Sequence, residues 1–290
     1  MIWLIGNNGM LGTEVEALLK DEGGGYCVSD REVDITDAHD LRHFAADKKI
    51  SWIVNCSAYT AVDRAEDEPE KAFAVNAAGV GNIAHIAREK KATLIHVSTD
   101  YVFDGTKKGA YLEDDEPNPI GVYGKSKLEG ERRVRSEIAA HFIIRTAWLY
   151  GKNGANFVHT MLRLFAERGE VRVVNDQWGS PTRAADLAGA IMAIIKSGSA
   201  AYGVYHYTGE GRISWHEFAT AIYECARRDG IISNTVSIVP IATSEYPTKA
   251  RRPENSYLST EKIRRVPGVA VRHWHEALEE YLREYRRRMN

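Results

Sequence analysis

The sequence predicts a doubly wound α/β fold, a parallel sheet covered by helices on both faces. Three observations carry the prediction. Short runs that are mostly apolar recur through the first half, at residues 2–5, 26–29, 52–56, 93–98 and 142–145. Longer stretches with helical periodicity separate them, at 11–20, 38–48, 69–90 and 124–138. A glycine-rich turn, Gly6-Asn-Asn-Gly9-Met-Leu-Gly12, follows the first run at once. Strands that lack polar alternation are buried on both faces, and with helices between them they form a parallel sheet with right-handed crossovers.

Beyond Trp148 the alternation loosens. Helices are expected at 156–168, 184–196, 214–228 and 271–288, and short strands at 171–174, 204–207 and 236–241. Residues 241–256 carry Pro247 and Pro253 among polar side chains and read as a functional loop. The division that follows is a dinucleotide-binding Rossmann unit over 1–150 and a smaller α/β substrate lobe over 151–290. Helix 184–196 is expected to pack back onto the first unit.

Composition excludes several classes. The chain has 290 residues, 44% hydrophobic and 27% charged, enough apolar material for one large domain or two sharing a core. A net charge of −2 gives no basic footprint for nucleic acid. Arg286, Arg287 and Arg288 form the densest basic run and suit the end of a C-terminal helix. Three scattered cysteines, Cys27, Cys56 and Cys225, argue against disulfides and structural zinc, and Cys27 and Cys56 are expected to be buried small apolar groups. The histidines show no metal-ligand spacing. The longest apolar helical stretch, 187–195, falls short of the ~20 residues a membrane span needs. The first strand starts at residue 2, so a leader peptide is not expected, and a cytoplasmic protein is.

The glycine motif has a physical logic. Gly6 turns the chain, Gly9 admits a pyrophosphate to the backbone, and Gly12 lets helix and sheet approach. Unpaired N–H groups at the helix start then meet the phosphate charge. Asp30, after the second strand, is placed to bond a ribose 2′-hydroxyl, as in an NAD site, while the adjacent Arg31 is placed to meet the 2′-phosphate of NADP. Both cofactors, NADPH and NADH, remain open. Asp34 and Ile35 are expected near the adenine. Ala58, Tyr59 and Thr60 follow the third strand, where a cofactor ribose would pass. Thr36 is a candidate N-cap for the next helix.

Tyr123 and Lys127 form Y-x-x-x-K. With 14 Tyr and 14 Lys in the chain, the spacing alone is uninformative. The setting gives it meaning, because the pair opens a helix soon after a strand that ends in Ser98-Thr99-Asp100. Residues four apart share a helix face. An ammonium beside a phenol is expected to lower its pKa from ~10, which makes the phenol a useful proton donor. Thr99 stands at the carboxyl end of its strand, where such sheets bind ligands, and its hydroxyl could bond a carbonyl oxygen.

Five runs together carry a resemblance. They are Ser98-Thr-Asp-Tyr-Val-Phe-Asp-Gly105, Tyr123-Gly-Lys-Ser-Lys127, Arg145-Thr-Ala-Trp-Leu-Tyr150, Asn175-Asp-Gln-Trp-Gly-Ser-Pro-Thr182 and Ala250-Arg-Arg-Pro-Glu-Asn-Ser256. In order, from residue 2 to the last helix, the chain resembles the dTDP-4-dehydrorhamnose reductase family of extended short-chain dehydrogenase/reductases. The resemblance implies NAD(P)H-dependent reduction of the 4-keto group of dTDP-4-dehydro-L-rhamnose, the last step of dTDP-L-rhamnose synthesis. It makes Tyr123 the proton donor and Lys127 its partner, with Thr99 and Asp100 contacting the sugar. Trp148 would line the substrate pocket, and Gly9, Met10, Leu11, Ala58, Tyr59, Thr60 and Val97 would contact the cofactor. Arg251 and Arg252 are added here as candidates for the substrate diphosphate, because Arg suits bidentate phosphate recognition; ion pairs on a polar loop are the alternative. Some family members form Mg²⁺-bridged dimers through glutamates. Glu14 matches the first such position, but Ala185 occupies the second, with Asp186 adjacent, so no metal is expected; a monomer or a homodimer both remain open. Two other functions fit the same fold: a nucleotide-sugar epimerase or dehydratase that recycles its cofactor, and a non-catalytic regulatory subunit that keeps the dinucleotide site.

Overall fold

A computed structural model describes residues 1–289. In chain order the first half runs β1 (Ile2–Ile5), α1 (Met10–Glu22), β2 (Tyr26–Ser29), α2 (Ala38–Ala45), β3 (Trp52–Asn55), α3 (Val62–Ala65), α4 (Pro69–Phe73), a π-helical turn (Ala74–Gly79), α5 (Val80–Lys90), β4 (Thr93–Thr99), α6 (Val122–Glu137) and β5 (His141–Thr146). The second half continues with β6 (Leu149–Tyr150), α7 (Phe157–Glu167), β7 (Glu170–Val174), β8 (Trp178–Gly179), β9 (Thr182–Arg183), α8 (Ala184–Ser197), β10 (Gly203–His206), β11 (Ile213–Ser214), α9 (Trp215–Arg228), β12 (Ser237–Ile241) and α10 (Trp274–Met289).

The central sheet has six strands in the order β10-β5-β4-β3-β1-β2, all parallel. The expected doubly wound architecture is therefore present. Its sixth strand, β10, comes from late in the chain and pairs with β5 from Gly203 opposite Phe142 to His206 opposite Arg145. Apolar side chains from both faces explain the continuous hydrophobic runs. Leu4, Val54, Ile95 and Ile144 face α1 and α8, where Val15, Leu187 and Ile191 close the core. Trp3, Ile53, Leu94 and Ile143 face the other way, onto Ile83 and Ile86 of α5 and Val134 of α6. A separate core joins α7, α9 and α10 through Val158, Phe165, Phe218, Ile222 and Leu278. There β7 and β12 form their own parallel pair.

Local chemistry sets several boundaries. Asp37, not Thr36, caps α2: its carboxylate accepts from His39 N–H at 2.8 Å, while the Thr36 hydroxyl donates to Asp34 at 2.8 Å. A charged acceptor at a helix start is the stronger cap. Ser214 and Glu217 form a reciprocal capping box on α9. The region expected as one helix over 69–90 is continuously helical but widens at residues 74–79 into a π turn, which buries Asn76 completely. Cys27 and Cys56 are only partly buried; all three cysteines are free. No helix among the described residues is long and apolar enough to cross a membrane.

The glycine turn behaves as its spacing requires. Gly6 has φ +81°, a left-handed conformation that disfavours side chains, and a Cβ there would meet Ser57 N at 2.8 Å. A Cβ on Gly12 would lie 2.0 Å from the Gly6 carbonyl oxygen. Gly12→Ala is therefore expected to push α1 off the sheet and lower stability by about 1–3 kcal/mol, measured by urea denaturation, with weakened dinucleotide binding.

Candidate active site

The carboxyl ends of β1, β3, β4 and β5 open onto one cleft of about 1160 Å³. Gly6, Gly9, Met10 and Leu11 line it at the start of α1; Asp30, Arg31, Asp34 and Ile35 line it beyond β2. Ala58, Tyr59 and Thr60 come from the end of β3, and Val97, Thr99, Asp100, Tyr123, Lys127 and Trp148 complete the wall. Gly12 stands behind the turn as packing. Cys56 also faces the cleft, and burial pushes its thiol up to about 12, so it stays protonated.

The residues present fit a dinucleotide. The backbone at Gly9 is open toward the cleft, with only the Gly6 carbonyl at 3.3 Å from where a Cβ would stand. Helix α1 begins there with uncapped N–H groups suited to phosphate. Asp30 and Arg31 both reach the far end. Asp30 accepts from the Asn8 amide at 2.7 Å, whereas Arg31 is exposed and has no ion pair among the described residues.

Helix α6 is held against the strands by close backbone contact. A Cβ on Gly124 would stand 2.1 Å from the Tyr101 carbonyl oxygen, and one on Gly130 2.1 Å from that of Asn76. Glu66 accepts the Val122 N–H at 2.8 Å, in place of a cap from within the helix. Asn76, which sequence reasoning missed, clasps the cofactor wall to this helix. Its amide accepts from Tyr59 N–H at 2.8 Å and donates to the Tyr59 carbonyl and to Ser126 Oγ, each at 3.0 Å. The π turn is the local signal for it, since such turns cluster at functional sites, but apolar periodicity does not reveal one.

Tyr123 and Lys127 project from one face of α6, as their spacing implies. The expected depression of the phenol pKa is not found. Burial pushes Tyr123 up to about 12, against the nearby Thr99 hydroxyl, which favours the phenolate, and with Asp100 adding to the rise. Lys127 Nζ instead donates to the Val97 carbonyl at 2.7 Å. Burial lowers Lys127 to about 8, although Glu131 opposes that shift. The Thr99 hydroxyl donates to Asp100 Oδ1 at 2.9 Å and accepts from Tyr101 N–H, so its rotamer is set by its neighbour.

The end of the cleft expected to take the sugar differs more from expectation. Trp148 adopts φ +49°, left-handed for a residue with a Cβ. Its ring stacks on Trp215 at 3.5 Å between centroids and 9° between planes, and its other neighbour is Gly179, where a Cβ would lie 2.6 Å from the indole. Trp215 was not legible as a site residue, because it opens an amphipathic helix far along the chain. Arg252 is bidentate to Asp63, at 2.9 and 2.7 Å, and pins the 241–256 loop onto α3; Lys249 pairs with Asp67 beside it. Arg252 thus forms the ion pair that was its alternative role and lines a small recess with Asp100, Trp148, Trp215 and Ser256. Arg251 is exposed and lines neither space.

Two acidic positions with a metal in view are already matched by cations. Glu14 lies 3.5 Å from Lys152, and Asp186 takes two bonds from Arg272, at 2.6 and 3.3 Å. Cys225, His275 and Glu279 bring donor atoms within 4.8 Å of one another, a grouping invisible in the histidine spacing. Glu279 there is bound by Arg228 at 2.6 Å and Arg283 at 3.2 Å.

Comparison with known proteins decides the family. The model described as RmlD substrate binding domain matches residues 1–287. The dTDP-4-dehydrorhamnose reductase of Aggregatibacter actinomycetemcomitans is 41% identical over 281 residues, covering 95% of this chain and 96% of that protein. The chain belongs to the dTDP-4-dehydrorhamnose reductase family. Among solved family members, the Clostridium acetobutylicum structure superposes with a TM-score of 0.92 at 39% identity, covering 98% of this chain and 99% of that one. The Bacillus anthracis reductase, crystallised in complex with NADP, gives 0.91 at 38%, covering 98% of each.

Asp100 yields a prediction from its geometry. It is 2% exposed, and burial raises it to about 6 while the nearby Ser256 hydroxyl and the Thr99 hydroxyl on Oδ1 pull it down. A carboxyl raised above its unfolded value binds its proton more tightly in the native state, so it costs stability above about pH 6, and the cost vanishes below about pH 4. Asp100→Asn is expected to be the more stable protein at pH 7, by about 3 kcal/mol. Thermal melts should show that gap closing as pH falls to about 4.

Proposed function

We propose that the chain reduces the 4-keto group of dTDP-4-dehydro-L-rhamnose with NADPH, giving dTDP-L-rhamnose. The observation that carries this reading is the meeting of the glycine turn, Thr99 and the Tyr123–Lys127 pair in one cleft of a chain of this family. The reduced nicotinamide supplies the hydride when bound. Tyr123 holds a proton throughout the neutral range, because burial keeps its phenol near 12. That is the state a donor needs in the reductive direction: the sugar alkoxide that develops is far more basic than the phenol, so proton transfer runs downhill. Thr99 stands beside the phenol, and its hydroxyl, which donates to Asp100 in the free protein, would turn from that carboxylate to donate to the same oxygen. Lys127 presents an ammonium that is only partly satisfied by Val97, leaving N–H groups for ribose hydroxyls. Trp148 and Trp215 form the apolar wall at the sugar end.

Arg31 supports NADPH over NADH. Among the described residues it has no ion pair, at the ribose end of the cleft and next to an Asp30 that already accepts from Asn8. Arg31→Ala is expected to raise KM for NADPH roughly tenfold and leave that for NADH nearly unchanged; steady-state kinetics with both cofactors tests this.

The direct test follows the absorbance of NADPH with purified protein and enzymatically generated keto sugar. Loss of one NADPH per sugar, with dTDP-rhamnose as product, is the expected result. Turnover of sugar without net consumption would favour an epimerase or dehydratase, and absence of turnover from protein that still binds dinucleotide would favour the regulatory reading. Tyr123→Phe should lower kcat by about 10²–10⁴ with little change in NADPH binding. Near-native turnover by a folded Tyr123→Phe would remove the proton-donor role.

A further inference from the structure

We propose that Glu131 is a positioning residue for the reduction: with Arg145 behind it, it keeps Lys127 charged and directed into the cofactor cleft. The inference rests on the reductase reading above, in which Lys127 serves the cofactor.

Tyr123, Lys127 and Glu131 recur every four residues on α6 and share one face of the helix. Lys127 and Glu131 are each 1% exposed, and Arg145 on β5 is 2% exposed. Arg145 meets the Glu131 carboxylate with Nε at 3.0 Å from Oε1 and Nη2 at 2.7 Å from Oε2. Ser98, beside Thr99 on β4, donates its hydroxyl to Oε1 at 2.5 Å. The guanidinium lies over the Phe103 ring at 5.1 Å, with Nη1 3.5 Å from His206 Nε2. The carboxylate is thus held by donors from two strands, with no water-exposed edge.

Such a pair needs a reason. Taking two charges out of water costs several kcal/mol per ion, and replacing a buried pair with apolar side chains is often neutral or stabilising. Its position offers the reason. The groups facing Lys127 are Glu131 from its own helix, Cys56 at the end of β3 and His96 on β4. Cys56 is held protonated by burial, and His96 is held neutral by burial and by Lys127 itself. Tyr123 is protonated, Asp100 acts on the phenol rather than on the ammonium, and His206 beyond Arg145 stays neutral, held near 3 by burial and by the guanidinium. Among the described residues Glu131 is the carboxylate whose field opposes the loss of the Lys127 proton. Arg145 and Ser98 fix that carboxylate so that it acts at a distance and forms no direct ion pair, which would turn the ammonium away from the cleft.

The test compares native protein with Glu131→Gln, a substitution of the same shape. NADPH binding by nicotinamide fluorescence and keto-sugar turnover are both followed from about pH 6 to about pH 10, the range in which Lys127 titrates. Lys127 loses its proton on the alkaline side, so Glu131→Gln should move the alkaline limb of both profiles toward lower pH by about one unit, read as roughly tenfold weaker binding on that limb. Glu131→Asp, which keeps the charge, should return part of the displacement. A folded Glu131→Gln whose limb does not move, or whose activity falls equally at every pH, overturns the proposal. If Glu131→Gln fails to fold because Arg145 is left unpaired, Glu131→Gln/Arg145→Met removes both charges, and it too must show an acid-shifted limb; a native limb in that protein overturns the proposal. Binding reads Lys127 without turnover. A shifted binding limb in a protein whose native form reduces no keto sugar would sink the reductase reading and leave the role of Glu131 standing.

Discussion

The cleft depends on backbone meeting backbone at α6. At Gly124 and Gly130 the helix rests on the carbonyls of Tyr101 and Asn76 with no side chain between them. One side chain of ordinary size at either point would lift the helix by more than an ångström. Tyr123 and Lys127 would then leave Thr99 and Val97, and Glu131 would leave Ser98 and Arg145. The same contact joins the helix to the π turn, so Asn76 can hold the Tyr59 wall and Ser126 at once. A rigid cradle of this kind gives a site its sub-ångström placement before any ligand arrives.

The electrostatics follow from burial more than from pairing. Tyr123, Lys127 and Asp100 are each displaced toward their neutral forms, and in each the largest cause is the loss of water. At neutral pH the buried charges of Lys127 and Asp100 weaken the fold, whereas Tyr123 is uncharged folded or unfolded and costs nothing; under the proposed reduction the two charges are the usual exchange between stability and activity. The two roles differ by direction. A protonated phenol suits donation, while a neutral lysine would be useless, so only the lysine has a fixed carboxylate behind it.

Much of this was legible in the sequence, for identifiable reasons. The five strands of the first half are short and mostly apolar because the sheet is covered on both faces, and β10 was legible as a strand but not as the sheet's edge, because pairing partners are not written in composition. The glycine turn and Y-x-x-x-K could be read because their spacing is local. What escaped is what closes over long separations: Arg252 with Asp63, Trp215 with Trp148, and Arg145 with Glu131. The phenol was misjudged for a similar reason. Its four-residue spacing from Lys127 is local, but the burial that governs it comes from the whole cleft. The π turn escaped because six extra-wide residues do not disturb apolar periodicity enough to register.

The stacked pair Trp148 and Trp215 has an optical consequence. Two indoles lying nearly parallel at van der Waals distance share their electronic excitation, which splits their ultraviolet bands into a circular-dichroism couplet and quenches their emission. One partner follows the end of β5; the other opens α9. The protein therefore carries a native, label-free gauge of the separation between the end of β5 and the start of α9.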